Sequence, residues 1–184
     1  MAVNGYKIRK QEAIHFITFA VVNWVDVFTR CEYRDILLNS LRYCQMEKGL
    51  NIHSWVIMSN HVHFILSSRK GFELSNILRD FKKHTSTKLL MRIENNKTES
   101  RKEWMLKIFR ESGKKNSRND CYQFWQQDNH PIELNSNEMI NQRLDYTHNN
   151  PVVAGIVEKA EDYVYSSAID YFGGKGLLQI EFLK

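Results

Sequence analysis

The sequence predicts an α+β domain of the ferredoxin-like plan, in which the order β-α-β-β-α-β forms an antiparallel sheet with helices on one face. Three observations carry this prediction. Strand-like runs alternate with amphipathic helical stretches in that order. Two of these runs are separated by only two residues, the spacing of a tight hairpin. The 184 residues, 42% hydrophobic and 26% charged, suit one soluble globular domain over residues 1–184.

The first half of the chain contains a strand, a helix and a hairpin. Residues 14–22 are rich in β-branched and aromatic side chains, which favours a central strand. Residues 33–48 repeat apolar side chains every three or four positions and are followed by Gly49, a residue suited to ending a helix. Residues 51–58 and 61–67 are the two strand-like runs of the predicted hairpin.

The second half adds an inserted segment and an appended helix to this plan. Residues 72–93 have the periodicity of a long helix. Residues 95–120, approximately, form an inserted basic segment that we expect to be partly mobile around a short helix. A strand is predicted near residues 122–134, followed by a helix over residues 136–149 that Pro151 ends.

The positive charge of the chain is concentrated in one segment. The net charge is +5, and residues 69–118 contain 15 basic and 6 acidic residues, so the remainder is acidic. Such a segment indicates either a solvated helix face or a contact with a polyanion such as nucleic acid, and charge alone leaves both open.

Cysteine usage and hydropathy exclude several classes of protein. The three cysteines are odd in number and far apart, which fits neither a disulfide framework nor a CxxC metal site. The first residues lack the apolar core of a signal peptide, and no run of about 18 apolar residues occurs. We therefore expect a cytoplasmic protein with no membrane partner.

A His-x-His pair lies in the second strand of the hairpin. Because side chains alternate across a strand, His61 and His63 project from the same side of the sheet. Two convergent imidazoles can chelate a divalent ion, which would also give their nitrogens partners in an apolar strand. The alternative is a partly exposed strand edge, because such pairs also occur by chance.

A second pair of polar residues lies in the appended helix. Tyr146 and Asn150 are four residues apart and share one helical face, so a nucleophile and a ligand can point the same way. Taken alone, Tyr146 is better explained as a residue that packs its ring and exposes its hydroxyl to water.

Together the motifs resemble those of a known family. They are HSWVIMSNHVHFIL at residues 53–66, FWQ at residues 124–126, YTHNNPVVAGIV at residues 146–157 and YSSA at residues 165–168. In order and spacing they resemble the HUH-type single-tyrosine transposases, especially the REP-associated tyrosine transposases and related insertion-sequence transposases. Ser59 stands where that family commonly has proline, a change that removes no chemical group.

The resemblance implies a metal-dependent DNA transposase that cleaves and rejoins single-stranded DNA through a 5′-phosphotyrosine intermediate. It makes Tyr146 the nucleophile, and His61, His63 and Asn150 the metal ligands. His148 or His130 is an expected base or substitute ligand. The implied cofactor is Mg²⁺ or Mn²⁺, because hard cations suit a phosphate site and imidazoles favour Mn²⁺, with zinc left open.

The resemblance also implies the partners: single-stranded DNA with a hairpin or imperfect palindrome, and a second copy of the chain in a homodimer. A monomer stays open, because some REP-associated members are monomers. Trp104 or Trp125 would stack unpaired bases, with the alternative that both are core residues. The predicted DNA-binding residues are Arg79, Lys82, Lys83, Lys88, Lys114 and Lys115. Two alternatives stay open: a domesticated, non-catalytic binder of structured nucleic acid with the same fold, and a metal phosphoesterase that uses water as its nucleophile.

Overall fold

Four antiparallel strands form one sheet in the order β2-β3-β1-β4. The computed structural model describes residues 8–115, 121–127 and 131–183. The strands are β1 (His15–Ala20), β2 (Leu50–Ile57), β3 (His61–Ser68) and β4 (Ile132–Glu133). The longer helices are α1 (Cys31–Glu47), α2 (Leu74–Asn95), α3 (Lys102–Lys114) and α4 (Asn137–Val153), and a short α5 (Ala168–Tyr171) follows. This order confirms the predicted α+β, ferredoxin-like plan.

Both faces of the sheet are covered, by different helices. Ile17 and Phe19 of β1 point into the main core, where α1 and α2 pack. The alternate residue Phe16 points to the other side, where it joins Ile65 and Leu134 beneath α4. Because side chains alternate along a strand, one apolar strand can supply both cores. The predicted layer of helices is thus α1 and α2, while the appended helix covers the opposite face.

The first helix and the hairpin match the sequence patterns closely. Leu37, Leu41 and Cys44 of α1 are buried at the predicted spacing of three and four. Gly49 follows the helix with φ +67°, a left-handed conformation that glycine adopts without strain. A Cβ atom there would come within 2.5 Å of the Phe72 ring, so the position also has no room for a side chain.

The inserted segment contains the predicted short helix. α3 buries Met105, Leu106 and Phe109 against the main core. Part of the segment predicted to be mobile, residues 116–120, lies outside the described residues.

The strand predicted over residues 122–134 is mostly not a strand. Only the two residues of β4 pair with β1 in a ladder, and Trp125 makes an isolated bridge to Val21. The backbone N–H of Gln123 donates to Phe109 on α3, whereas that of Gln126 donates to Ala20 on β1. Because neighbouring backbone groups bond to different elements, the segment cannot follow one strand.

The appended helix begins as predicted and ends later than predicted. The Ser136 hydroxyl accepts a hydrogen bond from the Met139 N–H and so caps α4. The prediction that Pro151 ends the helix is wrong, because α4 includes Pro151 and runs to Val153. Pro151 has no backbone N–H, so the last turn of α4 has one hydrogen bond fewer. Ala154 completes that turn, because its N–H donates to the Asn150 carbonyl at 3.0 Å.

The helix is ended instead by Gly155, which has φ +69°. Its N–H donates to the Val152 carbonyl, and the Ile156 N–H donates to the Pro151 carbonyl, each at 2.9 Å. This pair of bonds is a Schellman motif.

Within the described residues, no helix has both the length and the hydropathy needed to span a membrane.

Candidate active site

The two histidines of β3 face α4. His61 pairs with Ala20 and His63 with Thr18 on β1, so both imidazoles leave the sheet on the side that α4 covers. Their ring centroids are 4.7 Å apart, with an angle of 71° between the ring planes. The structure therefore brings the two imidazoles together, as the strand alternation predicts.

His63 is buried and held from two sides. Its Nδ1 is hydrogen-bonded to the Thr18 hydroxyl at 2.8 Å, and its ring stacks on Phe16 with centroids 5.4 Å apart. Among the described residues its Nε2 has no hydrogen-bond partner, although it is shielded from solvent. Burial, together with smaller contributions from the nearby His61 and Arg143, lowers the pKa of His63 to about 3. The neutral ring therefore has one nitrogen occupied and one free.

His61 lies nearer the surface and contacts the end of α4. Its Nδ1 is hydrogen-bonded to the Asn60 side-chain oxygen at 2.7 Å, and Trp24 lies edge-on to its ring with centroids 5.8 Å apart. Burial lowers the pKa of His61, while a hydrogen bond with the Asn150 side chain opposes that shift. The predicted third ligand is thus within reach of the first.

α4 places Tyr146 over the histidine pair. The Tyr146 ring is edge-on to His63, with centroids 5.0 Å apart, and 5.9 Å from the ring of Phe16. Tyr146 is 47% exposed, so a substrate can reach this residue from solvent. Tyr146, His61, His63 and Asn150, chosen from the sequence, therefore form one cluster within a single chain.

Arg143 also belongs to this cluster, although it was not predicted from the sequence as a site residue. It lies one turn before Tyr146 on α4, with its guanidinium carbon 4.9 Å from the Phe16 ring centroid and 6.0 Å from that of Tyr146. An arginine at this place is suited to bind a phosphate group that approaches the phenol. The spacing of three residues from Tyr146 was the available signal, because i and i+3 positions share a helix face.

The structure does not bring His148 to this cluster. Its Nε2 lies 3.0 Å from the Ser54 hydroxyl and 3.0 Å from the Ser167 hydroxyl, and its ring packs on Tyr171. Two residues along a helix point in nearly opposite directions, which is why His148 and Tyr146 diverge. Burial lowers the pKa of His148 to about 4. The other expected base, His130, lies outside the described residues.

The predicted DNA-binding residues are exposed, with one exception. Arg79, Lys83, Lys88, Lys114 and Lys115 are exposed. Lys82 is half-buried, donates from Nζ to the Gln126 carbonyl at 2.8 Å, and packs over Phe19 with Nζ 5.1 Å from the ring centroid. It lies at the border of the buried stripe of α2, between Phe81 and Thr85. Lys82 therefore packs against the main core, while the other five face solvent.

The two tryptophans predicted to stack bases differ in position. Trp125 is buried in the main core and its indole N–H donates to the Thr85 hydroxyl at 3.1 Å, so it has no face for a base. Trp104 on α3 is 50% exposed. A third tryptophan, Trp24, was not considered in the sequence and lies beside His61.

The donor set limits which ions the cluster suits. In the parts of the chain that the structure describes, no three His, Cys, Asp or Glu side chains converge as metal ligands. The side chains that come closest to forming a metal site are the two imidazoles and the amide oxygen of Asn150. Nε2 of His63, which has no partner among the described residues, fits the role of a metal ligand. This mixed nitrogen and oxygen set suits Mn²⁺ or a similar divalent ion better than a thiolate-selecting metal.

Comparisons with known proteins show the family and the fold. A family model described as an IS200-like transposase matches residues 10–127, which include the histidine pair. The structure is similar to that of a REP-associated tyrosine transposase bound to a REP hairpin, with TM-score 0.68 and 17% identity over 99% of this chain and 92% of that one. That likeness concerns the fold.

A candidate transposase from Deinococcus radiodurans R1 gives TM-score 0.47 and 15% identity over 81% of this chain and 96% of that one, too remote a likeness to support an argument. No curated protein sequence matches the chain.

Proposed function

This chain belongs to the IS200-like transposase family, and on that premise we propose that it cleaves and rejoins single-stranded, hairpin-containing DNA through a covalent link to Tyr146. The observation that carries the proposal is the convergence of Tyr146 on His63, whose Nε2 has no partner among the described residues. With this reaction, the protein would be an HUH-type endonuclease and strand transferase.

The reaction uses the phenol as nucleophile. The Tyr146 oxygen attacks the phosphorus, a Tyr–O–P bond forms and the P–O3′ bond breaks, so the products are a 5′-phosphotyrosine and a strand ending in a 3′-OH. The phenolic proton leaves and one proton is taken up by the 3′ oxygen. Rejoining is the reverse attack by a 3′-OH, which needs no nucleotide cofactor because the phosphodiester is conserved. The exposure of Tyr146 gives its proton a direct path to water.

His61, His63 and Asn150 would hold a divalent cation, Mg²⁺ or Mn²⁺. When bound, the cation would neutralise charge on the non-bridging phosphate oxygens. The chain supplies the rest: Thr18 orients His63, Asn60 orients His61, and Arg143 adds positive charge beside Tyr146. Held in this way, the phosphate would lie next to the nucleophile instead of meeting it by diffusion.

The hairpin substrate is supported by the fold and by charge. The similar transposase structure is described as bound to a REP hairpin. This chain exposes Lys83 and Lys88 on α2 and Lys114 and Lys115 at the end of α3, where they can contact a phosphate backbone. We therefore propose DNA with a hairpin or imperfect palindrome as the partner.

The cluster of Tyr146 and the two histidines is complete within one chain. Catalysis as proposed therefore does not need a tyrosine from a second copy. The homodimer expected from the family resemblance stays a prediction, which sedimentation with and without DNA tests directly.

The test is a covalent-adduct assay. Labelled hairpin DNA from the flanks of the gene is incubated with the protein and Mn²⁺ or Mg²⁺, then run on a denaturing protein gel. We expect a shifted band that requires the cation and disappears in Tyr146→Phe. Tyr43→Phe is the matched control, because Tyr43 is also an exposed tyrosine and lies on α1, away from the cluster.

Two other outcomes would replace the proposal. Binding without any adduct, unchanged by Tyr146→Phe or chelation, would identify a non-catalytic binder of structured nucleic acid. Cut DNA without a protein adduct, still formed by Tyr146→Phe, would identify a phosphoesterase that uses water.

A further inference from the structure

The segment after β1 has an unusual backbone. The chain turns at Val22–Trp24 with left-handed backbone angles, φ +53° at Asn23 and φ +55° at Trp24. Asparagine tolerates this left-handed region, whereas a bulky aromatic residue rarely adopts it. A tryptophan held there is a strained feature, and such features cluster at ligand sites.

Neighbouring structure holds this conformation in place. The backbone N–H of Val21 donates to the Asn60 carbonyl, and that of Val22 donates to the Phe124 carbonyl, both at 2.9 Å. Val22 and Val25 are buried on either side of the turn. The backbone of this turn is therefore held by neighbouring segments and not by the side chain of Trp24.

The strain in the Trp24 backbone is not offset by burial of the Trp24 ring. Its side chain is 56% exposed, although valines close to it on both sides in sequence are almost fully buried. The exposed ring lies edge-on to His61, with centroids 5.8 Å apart and 78° between planes. The fold thus presents a large flat ring to solvent at the border of the candidate active site.

One side chain couples Trp24 to the histidine pair. The Asn60 amide nitrogen donates to the Trp24 carbonyl at 3.2 Å, and its oxygen is hydrogen-bonded to Nδ1 of His61 at 2.7 Å. The position of the Trp24 backbone is therefore fixed relative to the imidazole that would hold the cation. A group stacked on the indole would be at a constant distance from the reacting phosphate.

We propose that Trp24 is the stacking platform for the unpaired base of the nucleotide that flanks the phosphate attacked by Tyr146. This inference deepens the proposed function and rests on it. Exposed aromatic rings bind single-stranded DNA because every base has a π face, so the contact positions a nucleotide without selecting its sequence. The indole would fix the base while His61, His63 and Arg143 fix the phosphate, which together orient one nucleotide.

The first experiment needs neither the natural target nor cleavage. Oligothymidylate of 12 nucleotides carrying 5-iodouracil at one position is irradiated with the protein, and the crosslinked peptide is identified by mass spectrometry. We expect crosslinks at Trp24, and we expect Tyr43, which has the same exposure on α1, to be crosslinked far less. Crosslinks that avoid Trp24 at every iodouracil position overturn the inference.

The second experiment separates stacking from a structural role. Binding of the labelled hairpin is measured by anisotropy for wild type, Trp24→Ala and Trp24→Phe, with Tyr43→Ala as control, because Tyr43 is as exposed as Trp24 and lies on α1. Replacing an aromatic residue that stacks on a base typically weakens binding about 5- to 150-fold, which we expect for Trp24→Ala. Trp24→Phe should retain most of the affinity, and Tyr43→Ala should bind like wild type.

An abasic nucleotide beside the cleaved phosphate completes the cycle. It should weaken binding to wild type and have little further effect on Trp24→Ala, because the base has then already lost its partner. Equal losses in both proteins overturn the inference. Crosslinking and coupling at Trp24 in a wild-type protein that forms no adduct would instead show that stacking occurs and that the proposed cleavage fails.

Discussion

Thr18 on β1 holds His63 on β3 through a hydrogen bond of 2.8 Å between Oγ1 and Nδ1. The two residues are direct cross-strand partners, so the sheet register itself sets this contact. For Nε2 to bind a cation, Nδ1 must carry the hydrogen and donate it to the hydroxyl. In that tautomer the Thr18 hydroxyl accepts from the Nδ1–H of His63, and the lone pair of Nε2, which has no partner among the described residues, is left for the cation.

Thr18→Val should weaken cation binding while preserving the fold. Valine has the same shape and suits a strand, but it cannot accept the hydrogen bond. Loss of such an outer partner typically lowers metal affinity about 10- to 100-fold, measurable by calorimetric titration with Mn²⁺. Thr18→Ser, which keeps the hydroxyl, is the control, and wild-type affinity in Thr18→Val would show that the contact has no role in binding.

Mixing two inactive variants tests whether the site works within one chain. Tyr146 and His63 of the same chain are in contact, with ring centroids 5.0 Å apart. A mixture of Tyr146→Phe and His63→Ala should therefore form no DNA adduct in the gel assay, because neither chain has both residues. Recovery of adduct in the mixture would mean that the tyrosine helix is exchanged between copies. As a control, wild type mixed with each variant shows whether the variant chains inhibit adduct formation.

Ser167→Ala should destabilise the protein and loosen α4. The Ser167 hydroxyl accepts from the Trp55 N–H at 2.9 Å, and its oxygen lies 3.0 Å from Nε2 of His148 on α4. Leaving these buried groups without a partner costs about 1–3 kcal/mol, measurable as the free energy of unfolding in urea. The exposed Ser75→Ala is the control. Because α4 carries Tyr146, slower adduct formation should accompany the loss, and an unchanged rate would separate this anchor from catalysis.

Glu99→Gln should lower stability at neutral pH and have little effect near pH 2. Burial alone would raise the pKa of Glu99, but hydrogen bonds from Arg101 at 3.0 Å and Arg30 at 2.6 Å outweigh it and hold that pKa at about 2. The carboxylate is thus favoured in the folded state, and its contribution is complete above the ordinary pKa of about 4.5. As the pH falls from there towards 2, the unfolded chain takes up the proton first and the contribution disappears.

The size of that effect is about 3 kcal/mol at pH 7, since the pKa difference is about 2.5. Urea unfolding of wild type and Glu99→Gln at several pH values measures it, and comparing the two cancels the titrations that they share. A difference between them that stays constant from pH 7 to pH 3 would contradict the assignment to Glu99.

The segment around Trp125 shows where sequence patterns were insufficient. Its aromatic and polar residues are typical of a strand, yet its backbone bonds to α3 at one end and to β1 at the other. Pro151 is a similar case, because a rule about single residues predicts the end of α4, whereas the Schellman motif at Gly155 determines it. In both cases the deciding hydrogen bonds involve groups that the local pattern does not reveal.

Local periodicity was enough to predict most of the elements and two relations within the site. Alternation places His61 and His63 on one side of β3, and a spacing of four places Tyr146 and Asn150 on one face of α4, whatever the rest of the fold does. These relations depend only on the backbone geometry of a few neighbouring residues. For that reason they could be predicted from the sequence alone.

Tertiary structure alone decided which of these faces meet. The contact of Thr18 with His63 spans 45 positions and that of Ser54 with His148 spans 94, so both depend on strand register and on the side of the sheet that α4 covers. The same packing brought the α4 face that carries Tyr146 and Arg143 onto the histidine pair, and it exposed the strained Trp24 beside His61. Contacts between distant segments arise from burying shared apolar surface, which no short sequence pattern encodes.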